Sequence, residues 1–223
     1  MLRPFRGSLA VREGLLSKDQ LRTSAWRRLF RDVYVGAGAE VTHAVRCRAA
    51  ALILPPAAAI SGRSAARLHG ADLGGADAPV EVTLDRDVRP RAGIAVRRSE
   101  LQASDIVVLN GLRVSSAVRT AFDLARQLDL DEAVAAVDAL LTLGRVTIAD
   151  VAGYASGRRS WVGARRVHQV LALAVSGAES PMESRLRLVL VRDRAAGPHR
   201  RPGCGGPERV QRWRGHRGLI DPR

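Results

Sequence analysis

The residues best suited to chemistry here are arginines, above all the tract Arg158, Arg159, Trp161, Arg165 and Arg166. Guanidinium groups neutralise phosphates, and an indole among them packs on a base or a sugar, so this tract fits nucleic-acid contact. It fits equally a basic loop whose Trp161 anchors it to a core. Arg27 and Arg28 form a second candidate phosphate contact. In RTAFDLAR, Arg119 stands four residues before Asp123 and Arg126 three after it, the spacing of ion pairs along one helix face.

Other chemistries lack their residues. A phosphate-binding P-loop needs a lysine after a glycine-rich turn, and the only lysine, Lys18, follows GLLS. GAGAE at 36–40 lacks the third glycine of a dinucleotide fingerprint and reads as a loop. His43, His69, His168, His199 and His216 form no HxxxH pair, and Cys47 and Cys204 lack metal-ligand spacing. No metal and no cofactor is expected. His69 is expected to cap the end of a helix, and His168 to be solvated or lightly buried.

The elements that must position these groups follow from caps and breakers. Ser17 and Gln20 form a capping box, followed by RTSAWRRLF and a strand-like DVYVGAG, the outline of a small winged helix. Only twelve residues separate Leu21 from Tyr34, so a full recognition helix hardly fits and residues 1–41 read as an abbreviated winged-helix-like segment. An amphipathic element packed on the main domain is the alternative. Thr42 caps a helix through Ala51 that Pro55 and Pro56 end, and Ser61 caps another that stops at Gly70. Strands are expected at 80–84, 94–98 and 105–116, with Asn110-Gly111 as a hairpin turn. Ser116, the DEAVAAVDALLTLG segment, Thr147 and ARRVHQVLALAV then give a run of helices. Helices, strands, then helices predict an α+β domain over 42–178.

Composition agrees with a helical core packed from Ala, Leu and Val: 46% of residues are hydrophobic but only 4% aromatic. The net charge of +14 favours DNA or another polyanion as partner. Of 36 basic residues all but Lys18 are arginine, which also suits a GC-rich genome. The longest apolar run, Ala49 to Ile60, contains Pro55 and Pro56 and is too short to span a membrane. With no signal-peptide pattern at the start, a cytoplasmic setting is expected.

ESPMESRLRLVLV, from Glu179, is a well-formed helix start: Ser180 at the N-cap, Pro181 at the first helical position, Glu183 at the capping-box carboxylate. From Arg192 onward nine arginines face three acids among Gly and Pro, with few aliphatics. Residues 192–223 therefore read as a tail without a core. A change of reading frame near codon 192 is the favoured explanation, and a genuine Arg-rich disordered segment the other.

GLLSKDQL, FRDVYVGAG, ISGRSAARLHGADL and LNGLRVSSAVRTAFDLAR together resemble actinobacterial proteins related to the AbiEi antitoxin of type IV toxin–antitoxin systems. The resemblance covers about 1–191 and implies a winged helix before an α+β domain. It also implies a partner toxin protein. ESPMESRLR resembles the first helix of a very-short-patch-repair-like endonuclease domain with the PD-(D/E)XK fold, which longer relatives carry. In such nucleases the residue matching Glu183 works with carboxylates on later strands to hold a divalent metal. Here Asp193, Glu208 and Asp221 are the acids that follow, and none lies on a convincing strand. Glu183 is therefore expected as a vestige in 179–191, with no intact catalytic set.

The expected function is a DNA-associated, antitoxin-like or transcriptional regulatory protein with a nuclease remnant. A metal-dependent endonuclease and a protein-binding antitoxin module without DNA binding are the alternatives.

Overall fold

In the computed structural model the described residues are 3–195 except 74, 76, 87–90 and 179, and no side chain is described beyond Val191. They form a mixed α+β fold of eight α-helices and two sheets.

The first sheet is built at the N-terminus. β1 (Phe5–Arg6) leads into α1 (Gly7–Arg12), and β2 (Trp26–Phe30) and β3 (Val33–Gly36) form a hairpin, giving the antiparallel order β1-β3-β2. Asp32 adopts φ 63° in the hairpin turn, a conformation that Asp tolerates better than most residues. Its carboxylate accepts from the Ser8 N–H at 2.7 Å, the Ser8 hydroxyl at 2.6 Å and Arg6 Nε at 3.1 Å. The turn thereby fixes the start of α1. The Ser17–Gln20 box forms, with Gln20 Oε1 accepting from the Ser17 N–H at 2.7 Å. It opens only a single 3-10 turn, Gln20–Arg22, and part of the RTSAWRRLF segment is strand rather than recognition helix.

The second sheet follows α2 (His43–Ala51). It comprises β4 (Ala59–Ile60), β5 (Val80–Leu84), β6 (Ile94–Arg98), β7 (Ile106–Leu109) and β8 (Leu112–Ser115), in the order β6-β5-β4-β8-β7. The two-residue β4 sits at its centre, antiparallel to β5 and parallel to β8. Asn110 and Gly111 both take positive φ, 50° and 79°, as a two-residue hairpin turn between β7 and β8 requires. Ser61 stands before α3 (Gly62–Leu68), yet its side chain does not cap that helix. Its Oγ instead accepts from Thr83 Oγ1 at 2.8 Å and ties β4 to β5. His69 stands at the C-cap of α3 as expected, its backbone N–H bonded to the Ala65 carbonyl, while its side chain donates from Nε2 to the Ser115 carbonyl at 2.8 Å.

α4 (Ala117–Gln127), α5 (Leu130–Thr142), α6 (Ile148–Ser156), α7 (Ala164–Leu173) and α8 (Pro181–Ala195) complete the fold. Side chains of Ser116, Thr147 and Ser180 cap α4, α6 and α8 as their positions predict. Two cores result. Phe122, Val134, Leu140, Val151 and Val167 pack the helical one; Phe30, Val33, Ile60, Val82 and Val114 pack the other and seat the N-terminal hairpin on the second sheet. None of the described helices is long and apolar enough to cross a membrane.

Candidate functional site

The centre of the fold is a fully buried arginine. Arg119 lies on the first turns of α4 with no exposed surface. Its Nε donates to Asp123 Oδ2 at 2.7 Å, Nη1 to Asp105 Oδ2 at 2.8 Å and to the Glu100 carbonyl at 2.9 Å, and Nη2 to Ser99 Oγ at 2.9 Å. Burial alone would lower its pKa, yet the charges of Asp123 and Asp105 carry it above the ordinary value. Tyr154, on α6, donates its hydroxyl to the other Asp105 oxygen at 2.6 Å. Burial first, and that hydrogen bond second, raise the Tyr154 pKa far beyond the physiological range. Arg119 thus binds the β6–β7 connection, α4 and α6 into one network with its polar groups satisfied. A buried charge demands this.

Around this network the predicted loop residues separate. Trp161 is partly buried and packs on Phe122, ring centroids 5.9 Å apart, with the guanidiniums of Arg119, Arg126 and Arg158 4.9, 5.3 and 5.6 Å from its centroid. Arg158 lies 3.6 Å over the Tyr154 ring and donates to Gln102 Oε1. Arg166 donates to the Leu128 carbonyl at 2.7 Å, closing the C-terminus of α4. Arg159 and Arg165 are exposed. The tract therefore combines an anchor, built from Trp161, Arg158 and Arg166, with two outward cations.

Arg27 and Arg28 lie side by side on β2, where successive side chains project to opposite faces. Arg28 lines a groove of about 1040 Å³ between the N-terminal hairpin and the end of α2; Arg27 does not. Arg6, Arg31 and Arg91 share its wall, with Leu52, Ile53 and Leu54 behind. Asp32, the acid of that wall, is engaged by Arg6 and Ser8. Burial alone would raise its carboxyl, but the hydrogen bonds from Ser8 and Arg6 hold it below the ordinary value. Arg6 and Arg91 come from distant segments, so only folding reveals them; Arg31 adjoins the predicted pair and was legible as a third cation.

Glu183 sits exposed in the first turn of α8. The described acids nearby serve packing. Asp138, fully buried on α5, accepts from the Val175 N–H, from Ser184 Oγ and from Arg187 Nη2 at 2.7, 2.7 and 2.8 Å. Among the described residues no three His, Cys, Asp or Glu side chains gather as a metal site. Cys47 is buried, and burial pushes its thiol up to about 12. His168 is exposed on α7. Cys204, His199, His216, Glu208, Asp221 and the expected tail from 196 on lie outside the described residues.

In comparison with known proteins, the family described as the AbiEi antitoxin C-terminal domain matches residues 56–173. That span runs from β4 through α7 and includes the whole Arg119 network. No curated protein and no solved structure matches the chain.

Proposed function

The chain belongs to the AbiEi antitoxin family, and on that premise we propose that it is an antitoxin-like regulator that holds duplex DNA in the groove beside β2. The observation that carries this reading is the groove itself, where Arg6, Arg28, Arg31 and Arg91 converge with one carboxylate already engaged. Phosphate contacts of this kind position a protein on DNA, while neighbouring side chains read base edges. Arg27, Arg159 and Arg165 are further exposed cations outside the groove, and Trp161, Arg158 and Arg166 hold the segment that carries Arg159 in place. Selection from a pool of random duplexes tests this. The full chain is expected to enrich a sequence, and Arg28→Ala with Arg31→Ala to lose the enrichment. No duplex retention at low salt would move the protein-binding reading to first place.

A partner toxin is the second element of the proposal, and the outer face of α8 supports it. Met182, Leu186, Val189 and Leu190 are all more than half exposed there, while Ser184 and Leu188 are buried on the opposite face. A helix apolar on both faces normally has both covered. Leu186→Ser with Leu190→Ser is expected to leave DNA binding intact and to abolish toxin neutralisation. The resemblance of ESPMESRLR to a nuclease helix makes α8 a remnant of that domain in this reading, now serving as the cover of α5.

A further inference from the structure

The two edges of the second sheet differ in a way that bears on association. An edge strand offers unpaired N–H and C=O groups to any other strand, and proteins blunt that hazard with charge, proline or a bulge. β6, one edge, ends in Arg97 and Arg98. β7, the other, reads IVVL, carries neither charge nor proline, and pairs with β8 without a bulge. Val108 is 69% exposed, whereas Val107 and Leu109 lie half-buried against the core.

Register fixes which backbone groups of β7 are free. In an antiparallel ladder bonded and non-bonded pairs alternate. The Ser116 N–H donates to the Asp105 carbonyl at 2.7 Å, so Asp105, Val107 and Leu109 turn their groups toward β8. Ile106 and Val108 turn theirs outward. The Ile106 N–H is taken by the Ala103 carbonyl, while no described residue bonds the Val108 N–H or carbonyl.

We propose that β7 pairs antiparallel with β7 of a second copy of this chain, about a twofold axis at Val108. A residue that presents both a donor and an acceptor is complementary to itself under such an axis, each N–H meeting the other copy's carbonyl. Val107 then faces Leu109 of the second copy, and each half-buried apolar rim is covered by the other. Charge favours the same edge. A chain of net charge +14 repels its copies wherever arginines would meet, and no residue from Ile106 to Leu112 is charged. Arg113, opposite Val108 on β8, is kept three strand spacings, roughly 14 Å, from its copy, beyond the screening length of about 8 Å at physiological salt. A contact of one short strand is smaller than the roughly 1,000 Å² of a stable interface, so the dimer forms reversibly. It uses no residue of the β2 groove or of α8 and stands apart from DNA and toxin binding.

Sedimentation equilibrium of the full chain tests it across about 10 μM to 1 mM, the range in which a contact of this size associates. Wild type is expected to dimerise reversibly. Val108→Glu is expected to keep the wild-type unfolding temperature, since its carboxylate faces Arg113 across the strand pair. It should nevertheless weaken self-association by about tenfold or more, because two carboxylates would meet at the axis. Val108→Lys alone should be monomeric, and an equimolar mixture of the two variants should dimerise again. A wild type that stays monomeric throughout, a dimer that survives Val108→Glu, or a mixture that fails to associate overturns the proposal. So does a dimer lost only in Leu186→Ser with Leu190→Ser, since the contact would then lie on α8.

Discussion

Arg119 is the residue on which most depends. Removing it leaves Asp105 and Asp123 buried with their charges poorly compensated. Arg119→Ala is therefore expected to cost about 3–5 kcal/mol in denaturant unfolding. Tyr154→Phe, which deletes one donor to Asp105, is expected to cost about 1–3 kcal/mol. A loss below about 1 kcal/mol for Arg119→Ala, the scale of an exposed ion pair, would show that the network contributes no more than a surface arrangement does. The helix spacing alone made the Arg119–Asp123–Arg126 set legible. Asp105, Ser99 and Tyr154 were not, because they come from other elements and carry no local pattern. Glu183 leads to a different test. Supercoiled plasmid incubated with the protein and magnesium or manganese is expected to stay uncut; nicking lost in Glu183→Ala would restore the endonuclease alternative.

At the scale of elements, α8 is the informative one. Its inner face docks through Ser184, Arg187 and Leu188, and Arg185 Nε donates to Glu132 Oε1 of α5 at 2.7 Å. That hydrogen bond, the largest influence, holds the Glu132 carboxyl below its ordinary pKa. A carboxylate with a lowered folded pKa stabilises the fold above the ordinary value and loses that contribution as pH falls through the lowered one. Hydrogen exchange on acidification is thus expected to show α8 loosening, with the pH-dependent part removed in Glu132→Gln. Identical protection of α8 in the variant and wild type across that range would count against the Glu132 tie. Elements with caps or turn pairs were legible in advance: the Asn110-Gly111 hairpin, and the helices after Ser116, Thr147 and Ser180. β4 was hidden, since two residues within an Ala-rich stretch have no period to detect. α8 runs past Val191 to Ala195 because no breaker precedes Gly197 and Pro198 in the sequence.

For the whole molecule, the family match covers the second sheet and helices α3 to α7, while the N-terminal hairpin and α8 flank it. The basic charge was legible from composition, but not which arginines it leaves available. Folding commits Arg119, Arg126, Arg158 and Arg166 to internal partners, and beside β2 it gathers Arg28 and Arg31 with Arg6 and Arg91, which are themselves held by Asp32 and by the Ile53 carbonyl. The central claim is that this gathered set meets DNA phosphates. Measuring duplex affinity against salt for the full chain and for Arg28→Ala with Arg31→Ala tests it most directly, because both proteins carry the same C-terminal segment. Each phosphate contact contributes a log–log slope of about −0.9, so the variant is expected to bind more weakly with a slope shallower by about 1.8. An unchanged slope and affinity would contradict the account and leave the charge as a solvated surface.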